Sequence, residues 1–217
     1  MKKQIIIIII FSCLMASTDT PKLFKYNQST FQAFYFFKNV MLDSAFVELD
    51  DWVGTFNCME WNEDSTYCNK LGSCVGSRRW NTEKCGGGIC DLPAMGKVEV
   101  SGEKTMGYLE SGQYPVFLIY DKSRGTYHRA NAKGNVTIQQ DVCRNGYPYC
   151  YAWENFNFYF VEMLNGNETY MDCSGKLGGD LVVDSCGICG GSGPKFHCAS
   201  KEKSYCTEYE YEQGCSK

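Results

Sequence analysis

Residues 31–42 form a nearly unbroken aromatic and aliphatic run, which predicts a strand buried on both faces. Residues 116–120 repeat the pattern, and 52–56 predict a further strand, with weaker signals at 98–100 and 136–138. In 155–161, Phe156, Phe158 and Phe160 alternate with Asn155, Asn157 and Tyr159, a period of two with one aromatic and one more polar face. Together with Phe34 and Phe36, those three phenylalanines are expected in the core. No window carries a clean 3.6-residue apolar stripe, and Ser101-Gly102, Ser111-Gly112 and Asn145-Gly146 interrupt the chain with turns. The expected fold is all-β: a disulfide-stapled β-sandwich followed by a small, loop-rich Cys/Gly tail.

The pattern changes near Asp172. Residues 18–171 can supply a core, whereas 172–217 hold six cysteines, a Gly-rich run and few apolar residues, and so must be stapled. At the end of the chain Tyr205, Thr207, Tyr209 and Tyr211 alternate with Cys206, Glu208, Glu210 and Glu212, as in a strand with one tyrosine face. That face marks Tyr205, Tyr209 and Tyr211 as assembly candidates, with folding back onto their own domain as the other reading. At the start, Lys2 and Lys3 precede an apolar run from Ile5 to Leu14, followed by Ala16 and Ser17. Residues 1–17 therefore read as a secretory signal peptide, with acylation at Cys13 as the rival. The run is too short to span a bilayer and no second one reaches that length, so no membrane span is expected.

The chain has 217 residues and 14 cysteines, a usage that belongs to an oxidising compartment. Its net charge is -4, and without residues 1–17 it carries 19 basic against 25 acidic side chains. An acidic chain with no basic run beyond Arg78 and Arg79 lacks the footprint of a nucleic-acid binder. The two histidines, His128 and His197, limit both general-base and zinc chemistry.

Gln32-Ala33-Phe34-Tyr35-Phe36-Phe37, Asp50-Asp51-Trp52-Val53-Gly54-Thr55-Phe56, Cys74-Val75-Gly76-Ser77-Arg78-Arg79-Trp80 and Cys85-Gly86-Gly87-Gly88-Ile89-Cys90-Asp91 occur in that order. With later words at Gly107-Tyr108, 115–117 and 119–121, this stretch of roughly 31–165 resembles a module of large secreted and surface proteins, chiefly of marine bacteria. From Asp172 the chain is similar to the Cys-Gly-x-Cys-Gly-Gly spacer repeats that often follow such modules. The resemblance implies a surface or matrix role, not a defined activity. Cysteines 58, 68, 143 and 150 depart from the pattern, and the chain stops after one spacer unit.

Cys58 and Cys68 bracket a polar insertion and Cys143 and Cys150 bracket a turn, so each pair reads as a local loop closure. Cys74, Cys85 and Cys90 then remain in the first domain. One of the three is free and buried, bonded to another chain, or shared with the tail. Cys173, Cys186, Cys189, Cys198, Cys206 and Cys215 can close among themselves, and six cysteines allow fifteen pairings. Cys186, Cys189, His197 and Cys198 include zinc-ligand types, but in an oxidising compartment thiols pair first, so no metal or cofactor is expected. Asp180 and Asp184 lack the ladder of a calcium loop.

No catalytic set is expected. His128 reads as a lone strand histidine, Asp50 and Asp51 as a turn, and Gly86-Gly87-Gly88 as a tight disulfide-bounded turn without the lysine of a phosphate loop. Asn27, Asn135 and Asn167 each begin an N-glycosylation acceptor. Trp80, Tyr151 and Trp153 are candidates for stacking on sugars. The function expected is a non-enzymatic secreted structural glycoprotein that self-associates in a surface, matrix or fibre assembly. A carbohydrate-binding lectin-like module is the alternative, and a secreted hydrolase comes third.

Overall fold

The structure is a computed structural model that describes residues 20–98, 104–138, 141–143 and 149–215. The expected signal peptide, most of the 98–100 segment and the turns at 101–102 and 145–146 lie outside the described residues. The strands are β1 (Gln32–Leu42), β2 (Ala45–Phe46), β3 (Trp52–Trp61), β4 (Cys68–Arg79), β5 (Asp91–Met95), β6 (Val116–Asp121), β7 (Thr126–Ile138), β8 (Asp141–Cys143), β9 (Phe158–Met171), β10 (Phe196–Cys198) and β11 (Lys203–Tyr205). A short helix, α1 (Glu208–Cys215), follows.

Nine strands form one sheet in the order β2-β1-β9-β7-β6-β3-β4, with β5 on β1 and β8 on β7. β1 and β9 run parallel, and every other described ladder is antiparallel. The sheet curls until β4 meets β5, where a Cβ on Gly76 would stand 1.7 Å from the Pro93 carbonyl oxygen. Nine of the eleven described strands therefore make one curved sheet, with β10 and β11 as a separate two-stranded sheet, where the sequence pattern led to an expectation of two packed sheets. A period-two pattern reports only that one face is buried, and a sheet bent by bulges can supply both walls of its own core. Register shifts of this kind interrupt both β3–β4 and β7–β9.

The interior is aromatic. Tyr35 of β1 meets Phe117 of β6 edge-on at 5.4 Å, although β9 and β7 separate those strands in the sheet, so the contact crosses the enclosed core. Phe37 packs on Phe117 and Trp80, and Tyr35 stacks on Tyr159 at 4.5 Å. The polar tips are satisfied inside: Tyr35 Oη donates to the Tyr151 carbonyl, Tyr159 Oη to that of Ala152, and Trp153 Nε1 to that of Ala94. A second cluster lies on the outer face of β3, β6 and β7, where Phe24 covers Phe56, Leu118 and Tyr127. Gly54 admits that ring, since a Cβ there would meet it at 2.9 Å.

Candidate functional site

Phe34 and Phe36 of β1 pair in register with Phe158 and Phe160 of β9. Their rings stack in a ladder, Phe34 on Phe158 at 5.8 Å, Phe36 on Phe158 at 6.3 Å and Phe36 on Phe160 at 4.8 Å. This ladder is on the outside. Phe158 and Phe160 are each 47% exposed and Phe156 is 66% exposed, whereas Tyr159 and Val161 are buried. For Phe34, Phe36, Phe158 and Phe160 the expected core placement is thus corrected by one residue, which in a strand exchanges the two faces, while Phe156 stands in the turn before β9 at φ 63°. The interior takes Tyr35 and Tyr159, whose hydroxyls are satisfied there by backbone carbonyls. The outer row continues from Phe160 to Thr137 of β7 and Val142 of β8. With Ile89, Lys38, Asn135 and Glu162 it bounds a groove of about 320 Å³. Because the phenyl planes face one another, the ladder presents mainly ring edges to whatever lies over it.

Trp80, Tyr151 and Trp153 are all buried. They pack the interior, and the sugar-stacking role named for them requires exposed faces they do not have. A second concavity, about 500 Å³, lies beside Tyr67, Asn131 and Lys133. Next to it the Arg129 guanidinium sits 4.3 Å from the Tyr67 ring centroid and 5.0 Å from that of Tyr170, and Nη2 donates to the Cys68 carbonyl at 2.9 Å. No sequence signal joined these residues, which come from three separate strands or turns.

His128 is buried, with Nε2 2.7 Å from Thr126 Oγ1, and burial lowers its pKa. Asp51 is also buried and accepts the N–H groups of Glu48 at 2.8 Å and Lys122 at 2.9 Å. Burial raises its pKa to about 6. The folded state therefore holds a proton that the unfolded chain, near pH 4, has already released. The stability linked to Asp51 is fully present below pH 4 and is lost as pH rises through 6. Its size is about 2–3 kcal/mol by linkage. His128 opposes it, since its lowered pKa stabilises the fold above pH 6.5 and that contribution fades as pH falls. Urea titrations at pH 5 and pH 7.5 of the wild type and Asp51→Asn isolate the aspartate. The wild type should lose about 1.4 kcal/mol more than the variant between the two pH values. Equal changes would show that Asp51 titrates normally.

Disulfides join Cys58 to Cys68, Cys85 to Cys90 and Cys143 to Cys150 in the first domain. Gly86–Gly88 turns between Cys85 and Cys90, with Gly87 and Gly88 at φ 64° and 76°. Cys74 is free and buried, and burial pushes its thiol up to about 12. In the tail, Cys173 pairs with Cys189, Cys186 with Cys206, and Cys198 with Cys215. Those bonds occupy all three thiols named with His197 as a zinc set, and His197 itself stands exposed with Nδ1 3.1 Å from Ser204 Oγ.

The tail holds two loops of one design. Asp172 accepts the N–H groups of Ser174, Lys176 and Leu181, and Asp184 accepts those of Cys186, Ile188 and Gly193, so corresponding donors follow each aspartate at the same offsets. Backbone bonds correspond as well: Asp172 N–H to the Lys176 carbonyl and Gly175 N–H to that of Asp172, Asp184 N–H to the Ile188 carbonyl and Gly187 N–H to that of Asp184. Gly175 and Gly187 both take positive φ, as do Gly178 and Gly190. The Asp172 carboxyl is held below the usual range chiefly by the Ser174 hydroxyl, and that of Asp184 chiefly by the Ile188 N–H. The Cys173–Cys189 bond ties one loop to the other.

The strand expected at 205–211 is corrected. β11 ends at Tyr205 and α1 begins at Glu208. Thr207 Oγ1 accepts the Glu210 N–H, and the Glu210 carboxylate accepts those of Cys206 and Thr207. This is a capping box, legible as Thr207-x-x-Glu210 but masked by the Tyr/Glu alternation. Tyr211 packs on Phe196 and Tyr205 within the tail, so only Tyr209 of the three assembly candidates is well exposed, at 72%. Of the acceptor asparagines, Asn27 and Asn167 are exposed and Asn135 is half-buried.

Comparison of the chain with protein-family models, with curated proteins and with solved structures finds no match. No helix among the described residues is long and apolar enough to cross a membrane.

Proposed function

We propose that the chain is a non-enzymatic, secreted structural glycoprotein: a curved-sheet module on a rigid spacer, repeated as a subunit of a surface, matrix or fibre assembly. The observation that carries this reading is the tail, with two loops of one design, each closed by an aspartate, joined to each other by Cys173–Cys189 and to the segment before α1 by Cys186–Cys206. Such a segment holds its shape without a core and suits a stalk. It also displays Leu177, Leu181, Val182 and Ile188 to solvent, an apolar surface on which copies can meet. Six disulfides favour an oxidising compartment. The resemblance of the first domain to surface-protein modules points the same way. The lectin-like reading loses the three rings on which it rested, and among the described residues Asp51 holds backbone N–H groups and His128 a buried threonine.

Sedimentation velocity across the micromolar range tests the reading. The secreted full chain should associate, and Leu177→Ser combined with Ile188→Ser should shift it toward monomer with its circular dichroism unchanged. A wild type that stays monomeric throughout would remove the subunit model.

A further inference from the structure

The groove beside the phenylalanine ladder has an occupant within reach on the chain itself. β7 is bulged where it passes β9: Lys133 pairs with Met163 and Val136 with Val161, so Gly134 and Asn135 both stand opposite Glu162. Gly134 takes φ 83°, and a Cβ there would come within 2.1 Å of Glu162 Oε2. The Glu162 carboxylate accepts the Asn135 N–H at 2.8 Å and fixes the bulge. Val136 is buried, which leaves Asn135 and Thr137 on the outer face to either side of it. Thr137 is the cross-strand neighbour of Phe160. Asn135 and Thr137 line the same groove as Phe36, Ile89, Val142 and Phe160. Asn135-Val136-Thr137 is a complete N-glycosylation acceptor.

We infer that this groove seats the N-glycan carried by Asn135, whose first sugar lies over Phe36 and Phe160 between Ile89 and Val142. The inference rests on the secretory reading above. In the transfer, Asn135 Nδ2 forms a bond to C1 of an oligosaccharide borne on a polyisoprenoid diphosphate. The C1–O bond breaks, the diphosphate leaves with the electron pair, and Nδ2 gives up one proton; nothing is oxidised or reduced. The C–H faces and N-acetyl methyl of the sugar meet phenyl edges and aliphatic side chains, while Lys38 and Glu162 at the rim can bond its hydroxyls. Tethering supplies a high effective concentration, so weak contacts suffice to hold the sugar down. A glycan at this position also stands between the ladder and any second copy, and so accounts for an apolar face left open on the sheet.

The full chain secreted from eukaryotic cells provides the test, with site-resolved glycopeptide mass spectrometry and binding of an apolar fluorescent dye. Asn135 should be occupied. Asn135→Gln should raise dye fluorescence several-fold, whereas Asn27→Gln and Asn167→Gln should not. On the folded wild type, trimming to a single N-acetylglucosamine should leave the dye signal low, and full enzymatic removal should raise it, which separates shielding from any folding defect. Nuclear Overhauser contacts between that sugar and the Phe160 ring should be visible. Glycans at Asn27 or Asn167 with none at Asn135 would overturn the inference and leave the secretory reading standing. Dye binding that is the same with and without the Asn135 glycan, or fully glycosylated protein that dimerises through the ladder, would do so too. Secreted protein without any glycan would overturn the inference together with the glycoprotein reading, and a chain retained inside the cell would overturn the secretory one.

Discussion

Reduction of the folded chain should unfold residues 172–215 while the curved sheet stays folded. Asp172, Gly179 and Cys198 are the only residues of that stretch that are buried, so hydrophobic burial contributes almost nothing there. Three disulfides hold it, with sequence separations of 16, 20 and 17. Closing loops of that length stabilises by roughly 3 kcal/mol each in the chain-entropy account. Losing all three exceeds what the aspartate-closed loops can return. The sheet stands differently: its disulfides close shorter loops, with sequence separations of 10, 5 and 7, and its large aromatic core supplies the burial that residues 172–215 lack. Amide exchange with and without reductant reads both parts at once. Retained protection at Leu181, Ile188 and Gly193 after reduction would mean that the aspartate loops are stable without their bonds.

Gly76→Ala should be the most damaging single substitution in the sheet. The added Cβ would lie 1.7 Å from the Pro93 oxygen and 2.6 Å from its carbonyl carbon, and both are backbone atoms that cannot rotate away. Relief requires β4 to back off β5, which opens the curl over Val75, Leu92 and Ala94. Overpacking and the exposed seam together cost about 3 kcal/mol or more. Gly86→Ala is the control, since nothing lies within 4 Å of a Cβ there and its φ is not positive, so the change should stay within roughly 0.5 kcal/mol. Urea denaturation measures both. A Gly76→Ala cost near that of the control would show that β4 and β5 do not meet as closely as described.

The candidate site was only half legible. The acceptor at Asn135 and the phenylalanines at 34, 36, 158 and 160 were all visible in the sequence, yet nothing in it put them side by side. That adjacency comes from the parallel pairing of β1 with β9 and from the bulge at Gly134. The tail loops carried their own signal in the matched spacing of Asp172 and Asp184 with their glycines. The cysteines interleaved with that spacing mask it, since their partners lie 16 to 20 residues away.

By itself the sequence determined what depends on near neighbours: most strands of the sheet, the glycine turn between Cys85 and Cys90, and the local disulfides Cys58–Cys68 and Cys143–Cys150. Tertiary structure alone decided which face of each strand turns inward. Alternation leaves two phases open, and the one observed buries Tyr35, Phe37, Tyr159 and Val161, with the tyrosine hydroxyls satisfied by the carbonyls of Tyr151 and Ala152. It also decided that one sheet encloses the core, because only a curl tight enough to need glycine at position 76 brings β4 against β5. The same phase turned the phenylalanine ladder out toward Asn135, since successive residues of a strand point to opposite faces.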